Sequence, residues 1–362
     1  MSATTNPKRI LLAGGYGVVG AQVARLLRAR HPDLDIVIGG RRLKEAARLA
    51  DELGHASGIT LDARTDEPLK DINDIDAIGV FIHESDDQLL RAAASRGLAY
   101  MDITRGWDAL ARALGVAVLH DLKAPVLFSS HWMAGGPAIV SRGLADGLTR
   151  VTSIDMSILY YAGDKMGPDS ASAGEGMSLG FAARVGGAWR RVGPLSDDRL
   201  VKFPSGAERR VYRMNMGDMV TPALATGARD VGVRIGFDTG NALGSMRTLI
   251  RLGLWDLLMK LPSMSAVAAT KPGKGAPHEI VIEVTGEKDG RAIKRRATII
   301  DPQGQSHLTA LGAVHALERV AGLGREPLRA GAALPETGFT GDELARLRAL
   351  YEAHGVVLTL DM

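Results

Sequence analysis

Gly15, Gly17 and Gly20 stand at G-x-G-x-x-G spacing within LLAGGYGVVGAQVARLL, residues 11–27. The motif follows an apolar strand pattern and opens a helical one, which is the context its mechanism needs. Gly15 permits a tight turn. Gly17 lets the backbone approach a pyrophosphate seated on the helix N-terminus, and Gly20 lets helix and strand pack closely. With Tyr16, Val18 and Val19 between them, these residues form the expected dinucleotide-binding turn. About twenty residues later the chain reads IVIGGRR, Ile36–Arg42. An acid at the end of a second strand would hydrogen-bond a ribose 2′-hydroxyl and repel a 2′-phosphate. Gly39 and Gly40 leave room there instead, and Arg41 can offer a bidentate fork to a phosphate, with Arg42 and Lys44 adding charge. The pattern favours NADP over NAD. Asp62, Ile82 and Thr104 are the further cofactor-side candidates.

Proton-handling candidates follow apolar strands. Asp102 comes just after one, and His83 and His131 follow two others, so all three belong on the same rim. Tyr160 and Tyr161 end a later strand, and Tyr161 is the candidate for reaching the reacting centre from a second domain. Arg105 is a candidate clamp for a substrate carboxylate.

Strands alternating with helices position these residues. Strands are expected at Lys8–Ala13, Asp35–Ile38, Gly58–Leu61, Ala77–Ile82, Ala99–Ile103 and Pro125–Ser129. Helices are expected at Val18–Arg30, Leu43–Leu53, Asp86–Arg96 and Trp107–Gly115. This alternation predicts an α/β fold with a doubly wound parallel sheet whose ligand crevice lies at the carboxyl ends of the strands. After about residue 131 the rhythm changes. Ala138–Leu148 reads as a helix and Val151–Tyr161 as a half-buried strand. His278–Thr285 and Ala292–Ile300, joined through Lys288-Asp289-Gly290, read as a hairpin with a DG turn. These point to a largely antiparallel sheet in an inserted α+β domain. Gly163–Gly176 and Lys271–Pro277 read as surface loops, and Ser306–Gly322 and Gly341–Gly355 as helices. The expected organisation is a Rossmann domain at 1–131, a substrate and dimerisation domain at 132–305, and C-terminal helices at 306–362 returning to the first domain.

GGYGVVGAQVARLL, GGRRLKEAARLADELG and GLAYMDIT together resemble the saccharopine dehydrogenase-like oxidoreductases. Gly40-Arg41 and Gly97–Thr104 stand at the places of that family's Gly-Arg and of its strand near the nicotinamide. The closing GEKDG, TALGAVHAL and PET…GDELARLRALYEAHGV fit its C-terminal pattern. The resemblance covers most of the chain and implies hydride transfer between NADPH and an imine carbon, in a cleft between two domains, with Asp102 in the site. Two loops depart from the family: Phe81–Asp86 replaces a small apolar loop, and the Pro-Gly turn appears as Gly135-Gly136 with Pro137 one place on. A remodelled site is therefore expected, and with it a changed substrate. Reduction of an activated C=C bond in a hydrophobic substrate and a non-catalytic NADP-binding sensor or scaffold stand as alternatives.

Bulk properties exclude other classes. Hydrophobic residues make up 46% and aromatics 4%, and the net charge is +3. There is no basic run interleaved with aromatics, so nucleic-acid binding is not expected. With no cysteine, disulfides, thiolate metal sites and cysteine nucleophiles are absent. The nine histidines do not cluster at ligand spacing, so no metal is expected. MSATTNPKRI holds no apolar signal run, and charges interrupt the apolar Leu243–Leu261, so no integral membrane segment is expected. That stretch suits a helix with one polar face, serving as a core helix, a lid or a dimer face. The expectation is a cytoplasmic homodimer acting on a small molecule.

Overall fold

The computed structural model describes residues 8–161, 163–164, 179–240, 242–259 and 275–362. The chain divides into two compact units. One is Met1–Gly135 with Thr309–Gly338, the other Gly136–Leu308 with Phe339–Met362. The expected loop at Lys271–Pro277 lies partly, and that at Gly163–Gly176 mostly, outside the described residues.

The first unit runs β1 (Arg9–Ala13), α1 (Val18–Arg30), β2 (Asp35–Gly40), α2 (Leu43–Leu53) and β3 (Ala56–Thr60). It continues β4 (Ala77–Val80), α3 (Gln88–Arg96), β5 (Ala99–Asp102), α4 (Trp107–Val118) and β6 (Pro125–Phe128). With a late strand, Gly331–Ala333 (β15 in chain order), they form one sheet ordered β15-β6-β5-β4-β1-β2-β3. All its pairs are parallel. The order in which strands are added reverses between β1 and β4, so the carboxyl ends of those strands form the switch-point rim of a doubly wound sheet. β4, β5 and β6 are buried along their whole length. Central strands of a parallel sheet are covered on both faces, which is why AIGV, AYMD and PVLF carry so few polar residues.

α3 starts later than its sequence pattern predicts. Asp87 takes a left-handed φ of 58° at its N-cap instead of continuing a helix from Asp86. Its carboxylate is drawn into an ion pair described below, which fixes the preceding loop out of helical geometry.

The second unit runs α5 (Gly136–Ala145), β7 (Arg150–Tyr160), β8 (Phe181–Val185), β9 (Ala188–Val192), β10 (Arg199–Lys202) and β11 (Glu208–Arg213). Then come α6 (Thr221–Thr226), β12 (Asp230–Phe237), α7 (Ala242–Arg251), α8 (Trp255–Met259), β13 (His278–Lys288) and β14 (Arg291–Asp301). α9 (Gln305–Ala321), α10 (Glu343–Ala353) and β16 (Val357–Asp361) complete the chain. The main sheet is ordered β10-β11-β12-β7-β13-β14-β16. Only β12 and β7 pair in parallel; the other neighbours are antiparallel. The β13–β14 hairpin turns through Asp289 and Gly290, both at positive φ (51° and 75°), as a type I′ turn requires.

The sequence pattern places all of 306–362 with the first domain. The structure puts Thr309–Gly338 there and Phe339–Met362 in the second unit. The reason is β16, which pairs with the free edge of β14 from Arg296↔Asp361 to Ile300↔Val357.

Leu243–Leu261 is not one helix. Gly253 at φ +69° ends α7, with Leu254 N–H bonded to the Leu249 carbonyl and Gly253 N–H to that of Ile250. That pair of bonds is a Schellman cap. α8 then starts afresh. Arg247, read as part of a polar face, is held on Asp198 at 2.5 Å.

Candidate functional site

The glycine turn sits at the carboxyl end of β1, where the sheet reverses. Gly14 adopts φ +79°, and a Cβ there would lie 2.4 Å from Ile82 Cγ2, so β1 and the loop after β4 touch through a residue without a side chain. A Cβ on Gly20 would lie 2.4 Å from the Gly14 carbonyl oxygen, which is the close packing of helix on turn that the motif predicts. Intrahelical bonding begins with Ala21 N–H on the Gly17 carbonyl. The amides of Val18, Val19 and Gly20 have no partner inside the helix, no side chain caps them, and no acid stands in the first turn. Gly17 and Val18 are exposed. The turn therefore offers bare N–H groups and a positive helix end with no Cβ in front of it, a cradle that fits a pyrophosphate.

The end of β2 is cationic and without acid. Gly39 and Gly40 are buried, while Arg41, Arg42 and Lys44 are exposed. Arg42 is the N-cap of α2, and its guanidinium lies 5.2 Å from the centroid of the Tyr16 ring. Among the described residues Arg41 forms no ion pair. Asp62, just past β3, is held by Arg64 at 2.9 and 2.6 Å and accepts the Arg64 backbone N–H at 3.1 Å. Those bonds keep its carboxyl well below the usual carboxylate range, with Arg41 adding a smaller attraction. Its charge is thus committed to Arg64.

The other side of the rim is built differently. Arg105 is buried, and its guanidinium donates to Asp102 at 2.5 Å, to Glu84 at 2.8 Å and to the Tyr100 hydroxyl at 3.1 Å. It also pairs with Asp87, which takes a second bond from Arg112 at 2.8 Å. The Ser130 hydroxyl donates to Asp102 at 2.5 Å and accepts the Arg105 backbone N–H at 3.0 Å. The Tyr100 hydroxyl lies 3.2 Å from Glu84 and 3.1 Å from Asp102, able to donate to either. Glu84 also caps α3 by accepting the Leu89 N–H. Three buried carboxylates thus share one buried guanidinium, with Arg112 supporting from outside. Burial pushes the Glu84 carboxyl up, against the pull of Arg105. Burial opposes the charged form of Arg105, but Asp102 and Tyr100 outweigh it and its pKa rises. Burial likewise drives the Tyr100 phenol well above its ordinary value.

This cluster changes the meaning of several residues. Arg105 is not available to hold a substrate carboxylate, because the protein's own carboxylates saturate it. Asp102 is 1% exposed with Arg105, Ser130 and Tyr100 around it, so its carboxylate faces protein on every side. Glu84, in the loop that departs from the family pattern, and Asp87, the residue just after it, join the cluster without having been singled out from the sequence. Two acids next to a known rim position were visible there, but only folding shows that they point inward. Thr104 donates to the Ile82 carbonyl at 2.8 Å, tying the loops after β4 and β5 together.

His83 is exposed beside Glu84. His131 is 7% exposed and precedes a turn in which Met133, Ala134 and Gly135 all take positive φ (49°, 51° and 82°). Three such residues in succession, two of them not glycine, mark a strained turn. Tyr161 lies in the second unit, where its hydroxyl donates to the buried Glu279 at 2.8 Å. Tyr160 packs edge-on to Phe237 at 5.4 Å and receives a hydrogen bond from Gln305. The second unit also carries an open groove of about 470 Å³ lined in part by Asp155, Ser157, Arg199, Glu283 and Arg296. Arg199 pairs with Asp155 and Arg296 with Glu283, and Lys202 also lines the groove. Among the described residues no group of His, Asp and Glu is placed to hold a metal ion. No helix among them is long and apolar enough to cross a membrane.

The chain has a saccharopine dehydrogenase-like fold. Against the apo saccharopine dehydrogenase (L-Glu forming) of Saccharomyces cerevisiae, the match covers 98% of this chain and 100% of that one, with a TM-score of 0.67 at 14% identity. Against the homospermidine synthase of Legionella pneumophila, solved in complex with NAD, it covers 98% and 92%, with a TM-score of 0.60 at 12% identity. No protein-family model and no curated protein sequence matches the chain.

Proposed function

We propose that the protein is an NADP-dependent oxidoreductase that transfers a hydride between NADPH and the carbon of an imine or similar small substrate. The observation that carries this reading is the first unit's rim. A bare glycine turn on a helix N-terminus stands beside a strand end that carries Gly40-Arg41 and no acid. The two enzymes of like fold, one of them bound to NAD, support a nicotinamide dinucleotide as the ligand. Within that class, Arg41 favours the phosphorylated form, because only NADP presents a 2′-phosphate to a free guanidinium. The resemblance to the saccharopine dehydrogenase-like enzymes favours C=N over C=C chemistry.

In this reading Val18, Val19 and Gly20 bind the pyrophosphate through their amides, and Arg41 holds the 2′-phosphate. Ile82 and Thr104 shape the wall toward the nicotinamide, which supplies the hydride when bound. The proton has to come from a group with access to the substrate. His83 is exposed on this rim, whereas Asp102 and His131 are buried. We assign His83 as the proton donor and acceptor and Asp102 as a positioning residue that holds the loop after β5. Reduction of an activated C=C bond in a hydrophobic substrate by the same cofactor is the second reading.

The test is fluorescence titration with NADPH and NADH, followed by turnover on panels of amine–carbonyl pairs and of enones. Tight NADPH binding with oxidation by amine–carbonyl pairs is the expected result. Oxidation by enones alone would select the second reading. NADPH binding without turnover on either panel would make the protein a sensor, and no binding would overturn the reading altogether.

A further inference from the structure

Tyr16 occupies the first variable position of the glycine motif, yet its ring lies against the end of the neighbouring strand. An ideal Cβ on Gly40 would stand 2.4 Å from Tyr16 Cε1 and 2.7 Å from both Cζ and the hydroxyl oxygen. Real Cβ atoms do not approach other atoms so closely, so any side chain at position 40 must displace the ring. The Tyr16 hydroxyl accepts the backbone N–H of Arg42 at 3.1 Å, and the Arg42 guanidinium covers the ring face at 5.2 Å, a cation–π distance. One side chain thus closes the position where a ribose-binding acid would stand and fastens the first cationic turn of α2.

We propose that Tyr16 is a specificity-determining residue that enforces preference for a 2′-phosphorylated dinucleotide. Its ring excludes an acid from position 40 by direct contact, and its hydroxyl and face hold Arg42 at the strand end beside Arg41. This rests on the dinucleotide reading above and deepens it: Gly40 and Tyr16 are one device, and neither is informative alone. An acid at position 40 would be compatible with the fold only if the aromatic ring were removed at the same time.

The experiment uses the full chain with Tyr16→Phe, Tyr16→Ala, Gly40→Asp and the Tyr16→Ala/Gly40→Asp pair. Each is read by the Kd for NADPH and for NADH and by Tm without cofactor. Gly40→Asp alone is expected to lower Tm and weaken both cofactors. The pair is expected to recover most of the lost Tm and to move the preference toward NADH by about tenfold or more, the scale of one charge-assisted hydrogen bond. Tyr16→Phe keeps the ring and is expected to weaken NADPH about threefold, the scale of a neutral hydrogen bond. The Tm values form a double-mutant cycle that reads the contact between positions 16 and 40 directly. A Gly40→Asp variant with unchanged Tm, or one that turns to NADH without help from Tyr16→Ala, would overturn the proposal while leaving the dinucleotide reading intact. A wild-type protein that binds neither nucleotide would overturn both.

Discussion

Along one edge of the parallel sheet, β2 ends in Gly40-Arg41-Arg42, exposed and free of acid. A few strands away, β4 and β5 run into Glu84, Asp87 and Asp102, buried around Arg105. Both stretches are rich in charge, yet they do opposite work. At the first, Arg41 and Arg42 face solvent and neither is held by an acid among the described residues, so their charge is available to a ligand. At the second, every charge is spent on another protein group, and the result is a clamp joining the loops after β4, β5 and β6. Charge marks a binding site only where the fold has left it uncompensated.

The largest effect should come from breaking the clamp. Arg105→Met leaves Glu84 and Asp102 buried without a cation and Asp87 with Arg112 alone, and is expected to cost about 3–5 kcal/mol. Urea unfolding measures it, and a loss under about 0.5 kcal/mol, the range of ordinary surface substitutions, would show that the cluster does not hold the rim. Next comes His83→Ala. The side chain is exposed, so unfolding should be unchanged, while kcat falls about 100-fold or more, as for loss of a general acid. An unaffected rate would move the proton to another group and erase the functional contrast between His83 and its buried neighbours.

Arg41→Ala should raise the Kd for NADPH by about 10- to 100-fold, as for a lost charge-assisted hydrogen bond, with little change for NADH. Equal losses for both nucleotides would mean that Arg41 serves the turn and not the 2′-phosphate. The smallest effect is a slope. Burial raises the Glu84 carboxyl above its ordinary 4.5, so the native state keeps this proton at pH values where the unfolded chain has lost it. That contribution to stability is full below the ordinary value and declines as pH rises through the native one. Subtracting the urea midpoints of Glu84→Gln from those of wild type, from pH 4.5 upward through neutrality, should show this decline. A flat difference would mean that Arg105 cancels the cost of burial.

Much of the first unit was legible from periodicity. RILLA, DIVIGG, AIGV and PVLF are short apolar runs between helical patterns, and local pattern suffices where both faces of a strand are covered. The glycine turn was legible for the same reason, since each glycine answers a contact within a few residues or with the adjoining strand. Less of the second unit could be read. β8, β9, β10 and β11 are short, and β9 and β10 carry largely exposed side chains, so hydrophobic alternation gives little signal there. β16 reads as a strand only because β14 has a free edge for it. The break at Gly253 was visible in principle as a glycine after Arg251, a common helix stop.

By itself the sequence determined the class of fold, the place of the glycine turn and the absence of an acid at the end of β2, all of which depend on residue type and local spacing. Tertiary structure alone decided which charges remain free. Arg105 and Arg41 are the same side chain in similar positions after parallel strands. One is enclosed by acids from two separate segments, the loop after β4 and the end of β5, and the other faces solvent. That difference arises because ion pairing depends on distances between segments far apart in the chain, which no local pattern encodes.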